Sequence, residues 1–180
     1  MATTFRPSGR STSRSTVQGW LARTVPLNWE TALYIVLLIA ALVTRFAVLG
    51  DRVMSHDESL HTYYSYKLYA EGNFQHTPLM HGPILFHMTA LFYFLFGDSD
   101  FSSRIYTSLL GVLTVMFPLL FRRWLGRKGA LLASLMILIS PLLLYYSRYI
   151  RHDTPSIFFT LIMVYCTFMY LDGPDHLKRR

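Results

Sequence analysis

The chain contains a single cysteine, Cys166, so it cannot form a disulfide within itself. It also lacks any stripe of positive charge: the seventeen Lys and Arg residues stand in short clusters at the ends of apolar runs. Clusters of this kind are typical of membrane topology signals, and they argue against a nucleic-acid-binding surface despite the net charge of +7. No H-E-x-x-H pattern or comparable metal motif is present. The hydrophobic share of 52% instead favours a membrane protein.

Apolar runs near the length of a bilayer crossing recur along the chain. They predict four transmembrane helices, at residues 30–49, 105–121, 129–146 and 155–171. A fifth apolar stretch, residues 83–96, would reach only about 21 Å as a helix, against a hydrocarbon core of about 30 Å. We therefore expect it to be a re-entrant or interfacial helix.

The distribution of basic residues fixes the expected topology. If residues 83–96 do not cross, the tail 1–28, the loop around 122–128 and the end 172–180 all face the cytoplasm. Eleven basic residues then lie inside and five outside, as the positive-inside rule requires. The tail resembles a transit peptide in composition, but no small-x-small cleavage site follows the first run, so an uncleaved signal anchor is expected. The prediction is an all-α, polytopic protein of the cell membrane, with a disordered basic tail and a transmembrane domain at 29–171.

The large external loop, residues 50–104, is expected to contain two juxtamembrane helices. Ser55-His56-Asp57-Glu58 has the Ser-x-x-Glu form of a capping box and predicts a helix over 57–70 that stops at Gly72. A turn rich in proline, glycine and histidine follows, and Pro83 is well placed to open the second short helix. Six of the seven histidines and most acids fall on this outer face, so any chemistry is expected there.

Three external carboxylates are candidates for catalysis. Asp57 and Glu58 could supply a general base and a metal or cation ligand. The alternative is that both acids only stabilise the first turn of a helix, through the macrodipole and the cap. Asp153 stands in a second external loop beside His152, as Asp57 stands beside His56. A short polar loop whose charges pair with one another would explain Asp153 equally well.

Histidines and arginines on the same face suggest ligand binding. Histidine with carboxylates suits Zn²⁺ or Mn²⁺, although interfacial histidines often bind nothing. Arg148, Arg151 and Arg52 have the guanidinium fork that matches phosphate oxygens, and contact with lipid headgroups is the alternative. Arg45, inside the first span, is expected to snorkel to the outer interface.

The order of these segments resembles the GT-C superfamily of polyprenyl-phosphate-sugar-dependent glycosyltransferases, which includes the protein O-mannosyltransferase and aminoarabinose transferase types. The matching segments are residues 55–61 with the acidic pair, the Pro-rich turn 76–83, the arginine-containing segment 102–111, and the second external loop 145–153 with its own acid. The resemblance covers roughly residues 30–171. It is nearest to the bacterial and archaeal branch described as flippase-associated.

The resemblance implies a site as well as a fold. Asp57 would be the base that deprotonates the acceptor hydroxyl, and Glu58 would position the acceptor or a divalent ion. Asp153 would supply a second acid. The cavity would be lined by His56 and His81, with His81 as a second possible ligand beside Glu58 for Mn²⁺, Mg²⁺ or Zn²⁺, and Arg148 and Arg151 would face the lipid phosphate.

The implied reaction moves a sugar from a polyprenyl-phosphate donor to a lipid, glycan or protein acceptor on the outer face of the membrane, with inversion. Family members are generally several hundred residues long and have more spans, so a second chain is expected to supply the missing ones unless the chain is a fragment. The alternative is a non-catalytic membrane partner in lipid-linked sugar assembly or flipping. A metal transporter is disfavoured, since the apolar cores hold essentially no ionisable residues.

Overall fold

A computed structural model describes residues 28–73 and 82–173 of the chain. Within these residues every regular element is helical, and no strand occurs in that part, so the all-α prediction is confirmed. The helices are α1 (Trp29–Phe46), α2 (His56–Glu71), α3 (Ile84–Phe96), α4 (Asp100–Met116), α5 (Arg122–Ile139), α6 (Pro141–Ser147) and α7 (Asp153–Leu171), with a 3₁₀ turn at Phe117–Leu119 between α4 and α5. The predicted tail, apart from Asn28, and residues 174–180 lie outside this description.

The two helices predicted in the external loop are present. Ser55 caps α2: its hydroxyl accepts a hydrogen bond from the Glu58 amide, and its own amide donates to the Glu58 carboxylate at 3.2 Å. Gly72 ends the helix in the left-handed region, with φ of 63°, which a glycine adopts without the steric cost of a Cβ atom. The second helix, α3, has 13 apolar-rich residues. At 1.5 Å per residue it is about 20 Å long, too short to cross a bilayer alone.

The number of spanning helices differs from the prediction of four. By length and composition, α1 and α7 each suffice to cross a membrane. The pair α4 and α5 qualifies only as one broken unit bent by 120°, so the described residues provide two spans, or three if that pair is counted. The predicted span 129–146 is interrupted where Ser140 is extended and Pro141 opens α6. Proline cannot donate the next helical hydrogen bond, and it disfavours helical geometry at the residue before it.

Helix α4 is the centre of the packing. It contacts α1, α3 and α7, and it contributes Tyr106 and Leu110 to one apolar cluster and Val112 and Val115 to another. A polar residue also lies in this packing, since Arg45 of α1 is only 1% exposed. Its guanidinium donates to the Thr44 hydroxyl at 2.8 Å and to the Ile137 carbonyl at 3.5 Å. The expectation that Arg45 snorkels to the interface is therefore wrong: neighbouring helices enclose the side chain before it can reach water.

Close approach between α4 and α6 depends on Gly111. A Cβ atom placed on Gly111 would lie 2.4 Å from the Ser147 Cβ. Because both atoms are fixed to the backbone, Gly111→Ala is expected to lower the free energy of unfolding by about 1–3 kcal/mol, the usual cost of overpacking. Thermal unfolding in detergent measures the loss, and adding Ser147→Gly should restore part of it. If Gly111→Ala alone were as stable as the wild type, the close packing of α4 against α6 would be contradicted.

Ion pairs tie the beginning of α1 to the beginning of α5. Glu30 is 5% exposed, and its carboxylate lies 2.9 Å from the Arg122 Nε and 2.8 Å from the Arg127 Nε. Asp172, at the end of α7, lies 3.2 Å from Arg123 and accepts a hydrogen bond from the Trp124 indole at 3.1 Å. The N-terminal end of α1, the basic segment and the end of α7 thus share one end of the helix packing.

We expect this shared end to face the cytoplasm, because it holds the densest basic cluster among the described residues. A reporter protein fused after Gly126 should then behave as cytoplasmic. Protection of the reporter from protease added outside the cell, compared with a fusion after Asp51, measures this. An external signal from the Gly126 fusion would overturn the topology.

Candidate active site

The adjacent acids Asp57 and Glu58 occupy opposite environments on the first turn of α2. Glu58 is fully buried, with an exposed fraction of 0%. Its carboxylate accepts hydrogen bonds from Arg52 at 2.7 and 2.8 Å, from Arg104 at 3.1 and 3.4 Å, and from the amides of Ser55 and Ile150 at 3.2 Å each. Every direction from which a carboxylate usually binds a ligand is thus used, and the side chain is a structural acceptor for donors from three segments: residues 52–55, α4 and the loop before α7.

Arg104 completes this buried ionic centre. It is 0% exposed, and besides Glu58 its guanidinium donates to the carbonyl oxygens of Leu49 at 2.8 Å and Arg52 at 3.0 Å. The pair therefore links α2 and α4 to the segment that leaves α1. In the sequence, Arg104 stands in the segment 102–111 that carries part of the resemblance, but nothing local indicates a partner 46 residues away.

Asp57, by contrast, is available to a ligand. Its side chain is 52% exposed, and its carboxylate lies 3.8 Å from the Arg151 guanidinium. Arg151 also contacts Asp153 at 3.1 Å. The structure thus brings together three residues that the sequence predicted as site residues, with one cation between two carboxylates from the first turns of α2 and α7. The side chains of Asp57 and Asp153 are 52% and 41% exposed, so both acids remain accessible beside the guanidinium.

Three described histidines lie on the elements that form this group. His56 is exposed at the first position of α2. The His61 ring, one helical turn beyond Asp57, lies 5.1 Å from the His152 ring and 5.3 Å from the Phe86 ring, measured between centroids. The first contact packs α2 against the loop before α7, and the second packs α2 against α3. His81 falls outside the described residues.

Arg148 has a structural role next to the site. Its guanidinium donates to the carbonyl oxygens of Thr44 at 3.1 Å, Ala47 at 2.7 Å and Val48 at 3.2 Å. These groups end α1, where unpaired carbonyls and the helix macrodipole favour a cation. The same side chain also borders a cavity, so capping and ligand contact are compatible.

The cavity beside Arg148 has a volume of about 320 Å³ and combines cationic and apolar walls. Its lining comprises Leu49, Arg52, Pro141, Leu144, Tyr145 and Arg148. The Arg52 guanidinium lies 5.5 Å from the Tyr145 ring centroid and 5.0 Å from that of Tyr149, which are cation–π distances. Sequence reasoning missed this pairing because the tyrosines stand more than 90 positions from Arg52. The Tyr145-Tyr146 pair at the start of the segment 145–153, which carries part of the resemblance, was the available signal.

The metal prediction gains no support from the geometry. No group of three or more potential ligands occurs among the residues in the described ranges. Glu58, one of the two predicted ligands, has its carboxylate fully occupied by donors, which favours a positioning role for it. The other predicted ligand, His81, is not described, and a metal stays a prediction.

Comparisons with known proteins agree with the geometry. Residues 80–178 match the family described as dolichyl-phosphate-mannose-protein mannosyltransferase. An uncharacterized protein of Aquifex aeolicus (strain VF5) is 30% identical over 147 residues, which cover 76% of this chain and 29% of that protein. The chain therefore spans less than a third of the length of this relative. No solved structure gives a significant match.

Proposed function

This chain belongs to the dolichyl-phosphate-mannose-protein mannosyltransferase family, and from that premise we propose that it forms part of a GT-C-type membrane glycosyltransferase with a polyprenyl-phosphate-linked sugar as donor. The proposed acceptor is a hydroxyl group of a lipid, glycan or protein, and the site faces the outer side of the cell membrane. The observation that carries the proposal is the exposed Asp57 carboxylate, held beside Arg151 and Asp153 while the neighbouring Glu58 is locked in the protein interior.

The proposed reaction is a single displacement. Asp57 takes the proton of the acceptor hydroxyl as the oxygen attacks the anomeric carbon. The bond between that carbon and the phosphate oxygen breaks, and the phosphate leaves with the electron pair. Because the acceptor approaches opposite the leaving group, the configuration at the anomeric carbon inverts. Asp153 would hold Arg151 in place and orient the acceptor.

The cations of the cavity suit the departing phosphate. The cavity of about 320 Å³ is lined by Arg52 and Arg148 together with the apolar Leu49, Pro141 and Leu144. A guanidinium matches phosphate oxygens, and an apolar wall suits the first isoprene units of the lipid. Arg151, half exposed beside Asp57, would complete the stabilisation of the negative charge that develops on the leaving group. No step is assigned to a metal, since the described residues do not provide a ligand set that fits one.

A comparison of two sugar donors in membranes tests the proposal. Membranes containing the protein should transfer label from polyprenyl-phosphate-mannose, and they should transfer none directly from a nucleotide-linked mannose when lipid-phosphate-sugar synthesis is blocked. Inversion is checked by the anomeric configuration of the product. Transfer that depends only on the nucleotide sugar would refute the donor assignment.

The second candidate is a non-catalytic partner in lipid-linked sugar assembly or flipping. It is favoured by one observation: Arg52 and Arg148 line a cavity together with apolar residues, and this lining suits a lipid phosphate whether or not sugar transfer follows. This candidate predicts that the protein binds a polyprenyl phosphate and that no transfer accompanies binding. Adding a chain that supplies later spans and restoring transfer would instead favour a split enzyme.

A further inference from the structure

A second groove lies on the face of α2 away from Asp57. It has a volume of about 360 Å³ and runs between α2 and the loop that joins α3 to α4. Three tyrosines and two aspartates define it: Tyr63, Tyr66, Tyr93, Asp98 and Asp100. The side chains of Tyr63 and Tyr66 are about half exposed, whereas Tyr93 is buried and forms the floor. Nothing in the proposed reaction uses this groove.

The lining offers negative charge without a matching cation. Asp98 and Asp100 are both exposed, and no ion pair reaches either of them from the residues that the structure describes. Burial, together with the nearby charges of Asp100 and Asp98, raises the pKa of the Tyr93 phenol to about 12. The Tyr93 phenol therefore stays protonated at neutral pH and adds no negative charge beside the two carboxylates.

A hydroxyl group in the lining is also oriented as an acceptor. Ser59 donates its hydroxyl proton to the Ser55 carbonyl at 2.9 Å. With its proton used inside α2, this oxygen offers lone pairs to the groove. Donors and positive charge in a ligand would therefore suit the groove, and the face of Tyr66 would add cation–π attraction. A primary ammonium group has both properties.

The groove stands at the edge of an apolar surface. Phe94, Leu95 and Phe96, directly before the groove loop, are 74%, 56% and 64% exposed. Such a surface next to a polar groove is expected where a protein meets the lipid headgroups. On the other side, the Lys67 ammonium lies 5.0 Å from the Tyr63 ring centroid, and a hydrogen bond between these side chains raises the pKa of Lys67. Lys67 thus keeps a positive charge within reach of an anion.

We propose that this groove binds the headgroup of an aminophospholipid, with its ammonium between Asp98, Asp100 and the face of Tyr66, and its phosphate beside Lys67. The zwitterionic headgroup matches the order of charges in the site: two carboxylates at one end and one ammonium at the other. The acyl chains would then run along the exposed apolar end of α3. The site would anchor the external loop to the membrane surface, on the side of α2 opposite the proposed base.

The lipids that stay bound to the purified protein test the proposed groove independently of catalysis. The full chain is purified from nanodiscs that contain phosphatidylethanolamine, phosphatidylcholine and phosphatidylglycerol in equal amounts, and the lipids that remain bound are counted by native mass spectrometry. Phosphatidylethanolamine should be enriched. The double variant Asp98→Asn/Asp100→Asn should lose about tenfold in affinity for it, since charge-assisted hydrogen bonds are removed. The double variant Asp51→Asn/Glu71→Gln removes the same charge from the same loop outside the groove and should retain the lipid.

A further variant and two competing ligands distinguish lipid binding from binding of another ligand. Tyr66→Leu keeps both carboxylates and should still weaken retention, because it removes one aromatic face. Free ethanolamine at millimolar concentration should compete only weakly, since it lacks the phosphate and the acyl chains. Equal retention of the three lipids would overturn the proposal. Displacement of carboxylate-dependent binding by a lysine-rich peptide, without any preference among lipids, would also overturn it and identify a peptide as the occupant.

Discussion

Asp57→Asn is expected to lower sugar transfer from a polyprenyl-phosphate donor by about 10²–10⁴-fold, the usual contribution of a positioned general base. The amide has nearly the shape of the carboxylate, but it cannot accept the acceptor proton at neutral pH. The side chain is 52% exposed and its contact with Arg151 is long, at 3.8 Å, so the fold should not depend on its charge. Initial rates with labelled donor in reconstituted membranes measure the effect.

Controls for this experiment are available in the same loop. Asp51→Asn removes one exposed carboxylate six positions earlier and should leave transfer unchanged. Thermal unfolding of Asp57→Asn should coincide with that of the wild type. Asp153→Asn should reduce transfer less than Asp57→Asn, because Asp153 acts through Arg151. If Asp57→Asn retained wild-type transfer, the base assignment would fail even though the family assignment would stand.

Glu58→Ala is expected to lower the free energy of unfolding strongly, in contrast to Asp57→Asn, which is expected to leave stability unchanged. Removing the carboxylate leaves the fully buried Arg104 guanidinium without a counter-charge, and breaking a buried ion pair in this way costs about 3–5 kcal/mol. Chemical unfolding in detergent micelles measures the difference in free energy. The matched control is Glu71→Ala, which removes an exposed acid from the other end of α2 and should cost far less.

A double variant tests whether the unpaired charge of Arg104 causes the loss of stability in Glu58→Ala. Glu58→Ala combined with Arg104→Met should be more stable than Glu58→Ala alone, since the uncompensated buried charge is gone. Arg52→Met should cost little by itself, because 40% of its side chain is exposed and water screens the pair. A loss for Glu58→Ala no greater than that for Arg52→Met would show that the buried ionic centre is not a major source of stability.

Local patterns in the sequence predicted the external loop well. The capping box at Ser55, the glycine stop at Gly72 and the short second helix after Pro83 all depend on residues within a few positions of each other, and all are present. The resemblance implied that Asp57, Arg151 and Asp153 belong to one site, and the structure brings these three residues together.

Long-range contacts account for what the sequence did not predict. Glu58 and Asp57 look equivalent in the sequence, and only the approach of Arg104 and of the Ile150 amide makes one structural and leaves the other open. Arg148 looked like a phosphate ligand, yet its first partners are the carbonyls at the end of α1, about 100 positions away. The break at Pro141 was visible in the sequence, but hydropathy along 129–146 outweighed it in the prediction.

The one-residue offset between Asp57 and Glu58 has a consequence for how such proteins diverge. Neighbouring helical positions point about 100° apart, so selection on folding acts on one acid and selection on the reaction acts on the other. A lineage can therefore lose Asp57, and with it the proposed activity, while keeping a stable loop that still binds lipid. In descendants of this kind we expect the glutamate to persist with both arginines, and the aspartate position to vary freely.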